Sequence, residues 1–206
     1  MIDFTAKISF SSVWENLIDF AKKPRLNPLP ESFLVAPEKV FPYLLGIDFL
    51  LMIPTMLLIS LTGVEGDQHE TANLLDDPLQ LALFAVIVAP ILEELIFRFP
   101  IGEWWKKADF FGLSFDNTPT VQWCQQNFKR IFWSFTLGFA AIHFSNFTSS
   151  VPFYFAPILV LPQLILGIVL GYIRLGWGTR YSILFHAIHN GIPVLLLLFG
   201  GGPPSN

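Results

Sequence analysis

Residues 81–98 read LALFAVIVAPILEELIFR, and the fold class turns on how this stretch is read. From Leu81 to Leu92 it carries no charge; Glu93, Glu94 and Arg98 then follow without a break in the apolar pattern. As a helix rising about 1.5 Å per residue, the stretch covers roughly 27 Å. That is close to the hydrocarbon thickness of a bilayer, about 30 Å. An ionisable group near the bilayer centre costs about 3 kcal/mol on insertion scales, so those that occur generally serve a function. Two adjacent carboxylates and an arginine in one span therefore mark the first candidate site.

The surrounding chain fits a membrane reading. Of 206 residues, 53% are hydrophobic, 16% aromatic and only 14% charged, with a mean hydropathy of +0.56. A soluble domain carries nearer a quarter charged residues. The period-2 alternation of an outer-membrane barrel is absent. The expected fold is all-α, a polytopic helix bundle with about five transmembrane helices: Phe41–Leu61, Leu79–Phe99, Ile131–Phe147, Phe155–Ile173 and Tyr181–Phe199. Ahead of them, Phe10, Trp14, Leu17, Ile18 and Ala21 recur at helical spacing. This predicts an amphipathic helix on the membrane surface within an N-terminal segment of residues 1–40. Pro24, Pro28 and Pro30 end that helix.

Lysine and arginine set the expected orientation. Lys7, Lys22, Lys23, Arg25 and Lys39 precede the first span; Lys106, Lys107, Lys129 and Arg130 lie between the second and third; Arg174 and Arg180 lie between the fourth and fifth. The Thr62–Pro78 loop holds only acidic charges. Five spans put all the basic residues on one side, which predicts a cytoplasmic N-terminus and an external C-terminus. No basic block suggests nucleic acid as a partner. The single cysteine, Cys124, excludes an internal disulfide and a four-cysteine metal site. No cleavable signal peptide and no C-terminal lipidation signal are read.

Two more polar groups fall inside apolar spans. Phe139 and His143 are four apart on the third span, and His186 and Asn190 four apart on the fifth, so each pair shares a helix face. A carboxylate helix, a histidine helix and a His/Asn helix converging in one bundle supply a base, an imidazole partner and hydrogen-bond donors. Those are the parts needed to activate water and stabilise an oxyanion. Measured from each helix's own end, Glu93 and His186 lie about 9 and 8 Å deep, but His143 about 18 Å.

The ordered motifs EELIFR (Glu93–Arg98), FAAIH (Phe139–His143) and HAIHN (His186–Asn190) resemble the CPBP family of intramembrane proteases. That family includes the type II CAAX prenyl endopeptidases and the bacterial Abi or bacteriocin-processing proteins. The resemblance covers about residues 81–190, within an expected protease domain of residues 41–206. It implies an endopeptidase that cuts near the cytoplasmic face. Glu93 would act as general base, His143 would hold the water, and His186 and Asn190 would stabilise the oxyanion. Glu94 and Arg98, an i,i+4 pair, and Phe139 would be structural support. Membrane lipid and a peptide or protein substrate are the implied partners.

A metal-free glutamate mechanism is expected. The alternative cofactor is Zn²⁺ held by Glu93, His143 and His186, although the HExxH signature of zinc proteases is absent. A transporter using the same groups as an ion path, and a catalytically idle immunity or scaffold protein, are the competing functions. The chain's shortness suggests a prokaryotic plasma membrane, with either a prenylated protein or a leader peptide as substrate. Other polar positions receive plainer readings. Asp48 snorkels or pairs with a basic residue near the end of the first span, and His189 is a packing histidine. Gly167 and Gly171 allow close helix packing within the chain. Gln163 makes a polar packing contact, and the sequon Asn146-Phe147-Thr148 arises by chance.

Overall fold

The computed structural model describes residues 8–64, 78–101, 119–147 and 151–199. The acidic stretch Glu65–Asp77, Lys7, Lys106, Lys107, Thr148 of the sequon and the C-terminal tail lie outside the described residues.

Helices make up most of the described residues. α1 (Phe10–Lys22) and the short α2 (Glu31–Leu34) lead into α3 (Pro37–Ser60). A long interrupted helix then runs from Pro78 to Ile101; within it, α4 (Pro78–Ala82) and α5 (Ala89–Glu93) are its α-helical parts. α6 (Pro119–Gln126), α7 (Phe128–Ile142), α8 (Ala156–Leu159), α9 (Leu161–Trp177) and α10 (Thr179–Phe199) complete the order.

Pro37–Ser60 and Leu79–Ile101 are each long and apolar enough to cross a membrane. A third crossing arises if Phe153–Leu159 and Leu161–Trp177, bent by 43°, form one span. Five spans were expected. At the third, α7 has only 15 residues, about 22 Å, because the chain leaves the α-helix at His143. The outward faces are apolar: Leu50, Ile53, Leu57, Leu83, Ile87, Leu92 and Ile96 are all about half exposed. Apolar surface on this scale marks contact with lipid rather than water. The protein is an all-α integral membrane protein.

α9 is the hub. Its Leu166, Val169, Leu170, Tyr172 and Ile173 are buried against α1, α3, α7 and α10. The two glycines explain how helices come so close. A Cβ on Gly171 would lie 2.5 Å from the Phe132 ring, and one on Gly167 would lie 3.2 Å from both Arg98 Nη2 and Thr136 Cγ2. The small-residue pattern therefore serves packing inside the chain, as expected.

α1 starts with a reciprocal cap: the Ser9 N–H donates to Ser12 Oγ at 3.0 Å, and the Ser12 N–H to Ser9 Oγ at 3.3 Å. Its buried stripe is Val13, Leu17 and Phe20, which shares only Leu17 with the stripe read from the sequence. Phe20 decides the difference. Its ring lies 5.0 Å from Phe132 on α7 and 5.3 Å from Tyr172 on α9, and the Tyr172 hydroxyl donates to Asn16. One face of α1 is thus docked on the bundle.

Candidate active site

The carboxylate-bearing span departs from regular α-helix in the places that shape the site. Leu83–Val88 and Glu94–Arg98 are π-helical: Ala89 N–H donates to Phe84 O, and Phe99 N–H to Glu94 O, five residues back. Such stretches are rare and concentrate at functional sites. In this register Ala85 O would wait for the N–H of residue 90, but residue 90 is proline and has none. Asn190 on α10 supplies the missing donor, its Nδ2 lying 2.8 Å from Ala85 O. The carbonyl is partly buried, and leaving it without a donor would cost on the order of 1 kcal/mol, so this contact ties α10 to the span.

Glu93, at the end of α5, meets both catalytic-candidate histidines. Its Oε2 lies 3.7 Å from His143 Nε2 and 3.6 Å from His186 Nε2. The Glu93 side chain stays 25% exposed, whereas that of His186 is 2% exposed. The depth mismatch read from the sequence disappears. The third helix does not start later, since α7 begins at Phe128, and the three side chains nonetheless meet. His143 begins a 3₁₀ turn (His143–Asn146), and its Nδ1 lies 2.7 Å from Phe139 O. A carbonyl can only accept, so Nδ1 carries a proton, and in the neutral form of the ring the Nε2 lone pair faces Glu93.

Glu94 does not behave as expected. It was read as the ion-pair partner of Arg98, one helical turn on. Instead one carboxylate oxygen lies 3.3 Å from His186 Nδ1, and the other accepts the Ser182 hydroxyl. Arg98, also fully buried, makes no hydrogen bond through its guanidinium among the described residues; it lies over the Phe139 ring, 4.3 Å from the centroid. The π-helical turn between the two residues and the flat face of Phe139 account for the difference, because a guanidinium stacks well on an aromatic ring. The Arg98 carbonyl accepts from Arg174 Nε at 3.3 Å.

Phe139 is the centre on which these groups are arranged. Its ring centroid lies 4.7 Å from that of His143, 5.9 Å from that of His186 and 5.6 Å from that of Phe97. The structure thus brings Glu93, Glu94, Arg98, Phe139, His143 and His186 together, and places Asn190 one turn beyond His186 with an amide proton on Ala85. Two features escaped sequence reasoning. Ser182 extends the His186/Asn190 stripe back by one turn, and that spacing was the available signal. Asp48 pairs with His189, Nδ1 to Oδ2 at 2.6 Å. Both had been noted as polar residues in apolar spans, and that shared oddity was the clue to their pairing.

Among the described residues, no group of three or more His, Cys, Asp and Glu side chains is arranged to hold a metal ion. Glu94 also engages His186 Nδ1, which turns that ring by a contact independent of any metal.

A family model described as type II CAAX prenyl endopeptidase Rce1-like matches residues 76–192. The chain belongs to this family. The match covers more than half of the 206 residues and contains all three motifs. No curated protein and no solved structure matches the chain. Membership makes the protein, in general terms, an intramembrane protease of the CAAX type.

Proposed function

We propose that this protein is an endopeptidase that hydrolyses a peptide bond near the cytoplasmic face, with Glu93 as general base. The observation that carries the reading is the convergence of two imidazole Nε2 atoms, from α10 and from the turn after α7, on Glu93 Oε2. Separations of 3.7 and 3.6 Å are too long for direct hydrogen bonds. A water held between Glu93 Oε2 and the two imidazoles would serve as the nucleophile. With its Nδ1 proton on Phe139 O, a neutral His143 accepts a hydrogen bond from one water O–H while Glu93 accepts from the other.

The chemistry then balances. Glu93 removes a proton as the water oxygen bonds to the scissile carbonyl carbon, and negative charge gathers on the carbonyl oxygen. His186 donates to that oxygen; when doubly protonated, it is supported at Nδ1 by Glu94. Asn190 has a second amide proton beyond the one on Ala85, and this completes the oxyanion site. The carbon–nitrogen bond breaks, and Glu93 returns its proton to the leaving amine. The N-terminus is cytoplasmic and the C-terminus external, as the distribution of basic residues directs. The substrate is a prenylated protein or a leader peptide in a prokaryotic plasma membrane.

The test uses purified protein and candidate substrates of both classes. Glu93→Gln lowers the cleavage rate by about 10³-fold or more while the protein remains inserted and folded. Wild-type-like cleavage by that variant rejects the reading. Full activity after exhaustive chelation, with no stoichiometric metal bound, rejects the zinc alternative.

A further inference from the structure

Asp48 lies outside the three motifs and outside the matched residues 76–192, and His189 lies inside HAIHN at a position to which the motif gives no role. Both are buried: their side chains are 0% and 8% exposed. The His189 ring is stacked on Phe49 at 5.3 Å with an interplanar angle of 18°. The pair joins α3 to α10, and one turn earlier the Phe41 and Phe185 rings meet edge-on at 5.0 Å across the same junction.

α10 therefore carries two stripes. Ser182, His186 and Asn190 face the carboxylate span through Glu94 and Ala85. Phe185 and His189 face α3. The stripes alternate along one helix, so rotation of α10 about its axis moves both at once. A hydrogen-bonded pair held at 2.6 Å between two packed helices permits little rotation.

We infer that Asp48 and His189 are positioning residues that set the rotation of α10 and so aim His186 Nε2 at Glu93. The inference rests on the protease reading for its catalytic consequence, but its geometric content stands apart from it. Removing the clamp leaves the chemistry intact in kind and misaligned in place. Misplacement by about 1 Å can cost a reacting constellation on the order of 10²-fold.

The experiment has two readouts. Asp48→Asn, His189→Gln and the apolar pair Asp48→Leu/His189→Phe are compared with the parent in detergent micelles. Cleavage kinetics give kcat and KM, and ¹⁵N-histidine NMR reads the hydrogen bonding of the His186 ring without reference to activity. The expected result is a fall in kcat of roughly tenfold to a hundredfold with KM within about twofold, together with shifted His186 signals. The apolar pair removes both buried polar groups together, so it is expected to fold even where a single substitution does not. It is expected to recover thermal stability but not kcat.

A purely structural pair predicts the reverse: the apolar pair restores both stability and kcat, with His186 signals unmoved, and that outcome overturns the inference. Partial rescue by the exchanged pair Asp48→His/His189→Asp supports it. If the parent cleaves no substrate, the protease reading fails, and the His186 signals alone decide the clamp: shifted signals uphold it and unchanged signals overturn it.

Discussion

Glu94 reaches two groups on α10 with its two carboxylate oxygens, His186 Nδ1 and the Ser182 hydroxyl. An ionised carboxylate there favours the imidazolium form that donates from both ring nitrogens. A neutral amide keeps much of the shape and loses the charge. Glu94→Gln is therefore expected to lower kcat by about 10- to 100-fold, the usual scale for a partner that orients a reacting group, with KM nearly unchanged. Steady-state kinetics on the inserted variant check this. An unchanged kcat would show that His186 does not depend on the charge behind it. Arg98 contributes differently. Laid on Phe139, it braces the ring that His143 and His186 pack against.

At the scale of the element, the interrupted span from Pro78 to Ile101 depends on its neighbour. Pro90 leaves Ala85 O without a backbone donor, and Asn190 fills the gap. A double-mutant cycle tests the coupling. Asn190→Ala is expected to cost about 1–3 kcal/mol in the parent, and about 1 kcal/mol less where Pro90→Ala has supplied a backbone N–H. Unfolding in mixed micelles measures both. Additive effects would show that the two residues are uncoupled. Much of this span was legible in the sequence. An apolar run of bilayer length with charges inside it reads as a functional transmembrane helix, and the three motifs fall on segments that meet: Glu93 ends α5, His143 opens the turn after α7 and His186 lies on α10. The π-helical register was not legible, because hydropathy has no term for which carbonyl an N–H selects. For the same reason the i,i+4 spacing of Glu94 and Arg98 suggested an ion pair, where the structure has a carboxylate turned to α10. The partnership of Asp48 with His189 was hidden too. Residues so far apart in the chain meet only through tertiary packing, which one sequence does not display.

For the whole molecule, α1 matters more than an interfacial helix would. Phe20 is fully buried between Phe132 and Tyr172, and Tyr172 sits on the same helix as the glycines that admit Phe132 and Arg98. Phe20→Ala is expected to destabilise the bundle by about 3–5 kcal/mol and to lower its thermal midpoint in detergent. At a temperature where the variant stays folded, cleavage should remain near the parent rate, because no reacting group touches α1. A large loss of stability with retained activity would establish α1 as part of the fold; no loss would return it to the membrane surface.

The π-helical stretch Leu83–Val88 amounts to one residue more than an α-helix needs over the same path. Deleting any one residue there, say Val86, would let the backbone return to ordinary helical bonding at little local cost. Everything downstream would then turn by about 100° relative to the helix before it. Glu93 would leave the two imidazoles, and Glu94 and Arg98 would turn toward lipid. A single-codon deletion that regularises the helix should thus yield a chain with undiminished helix content and no cleavage. In this span, helical irregularity and activity are inherited together.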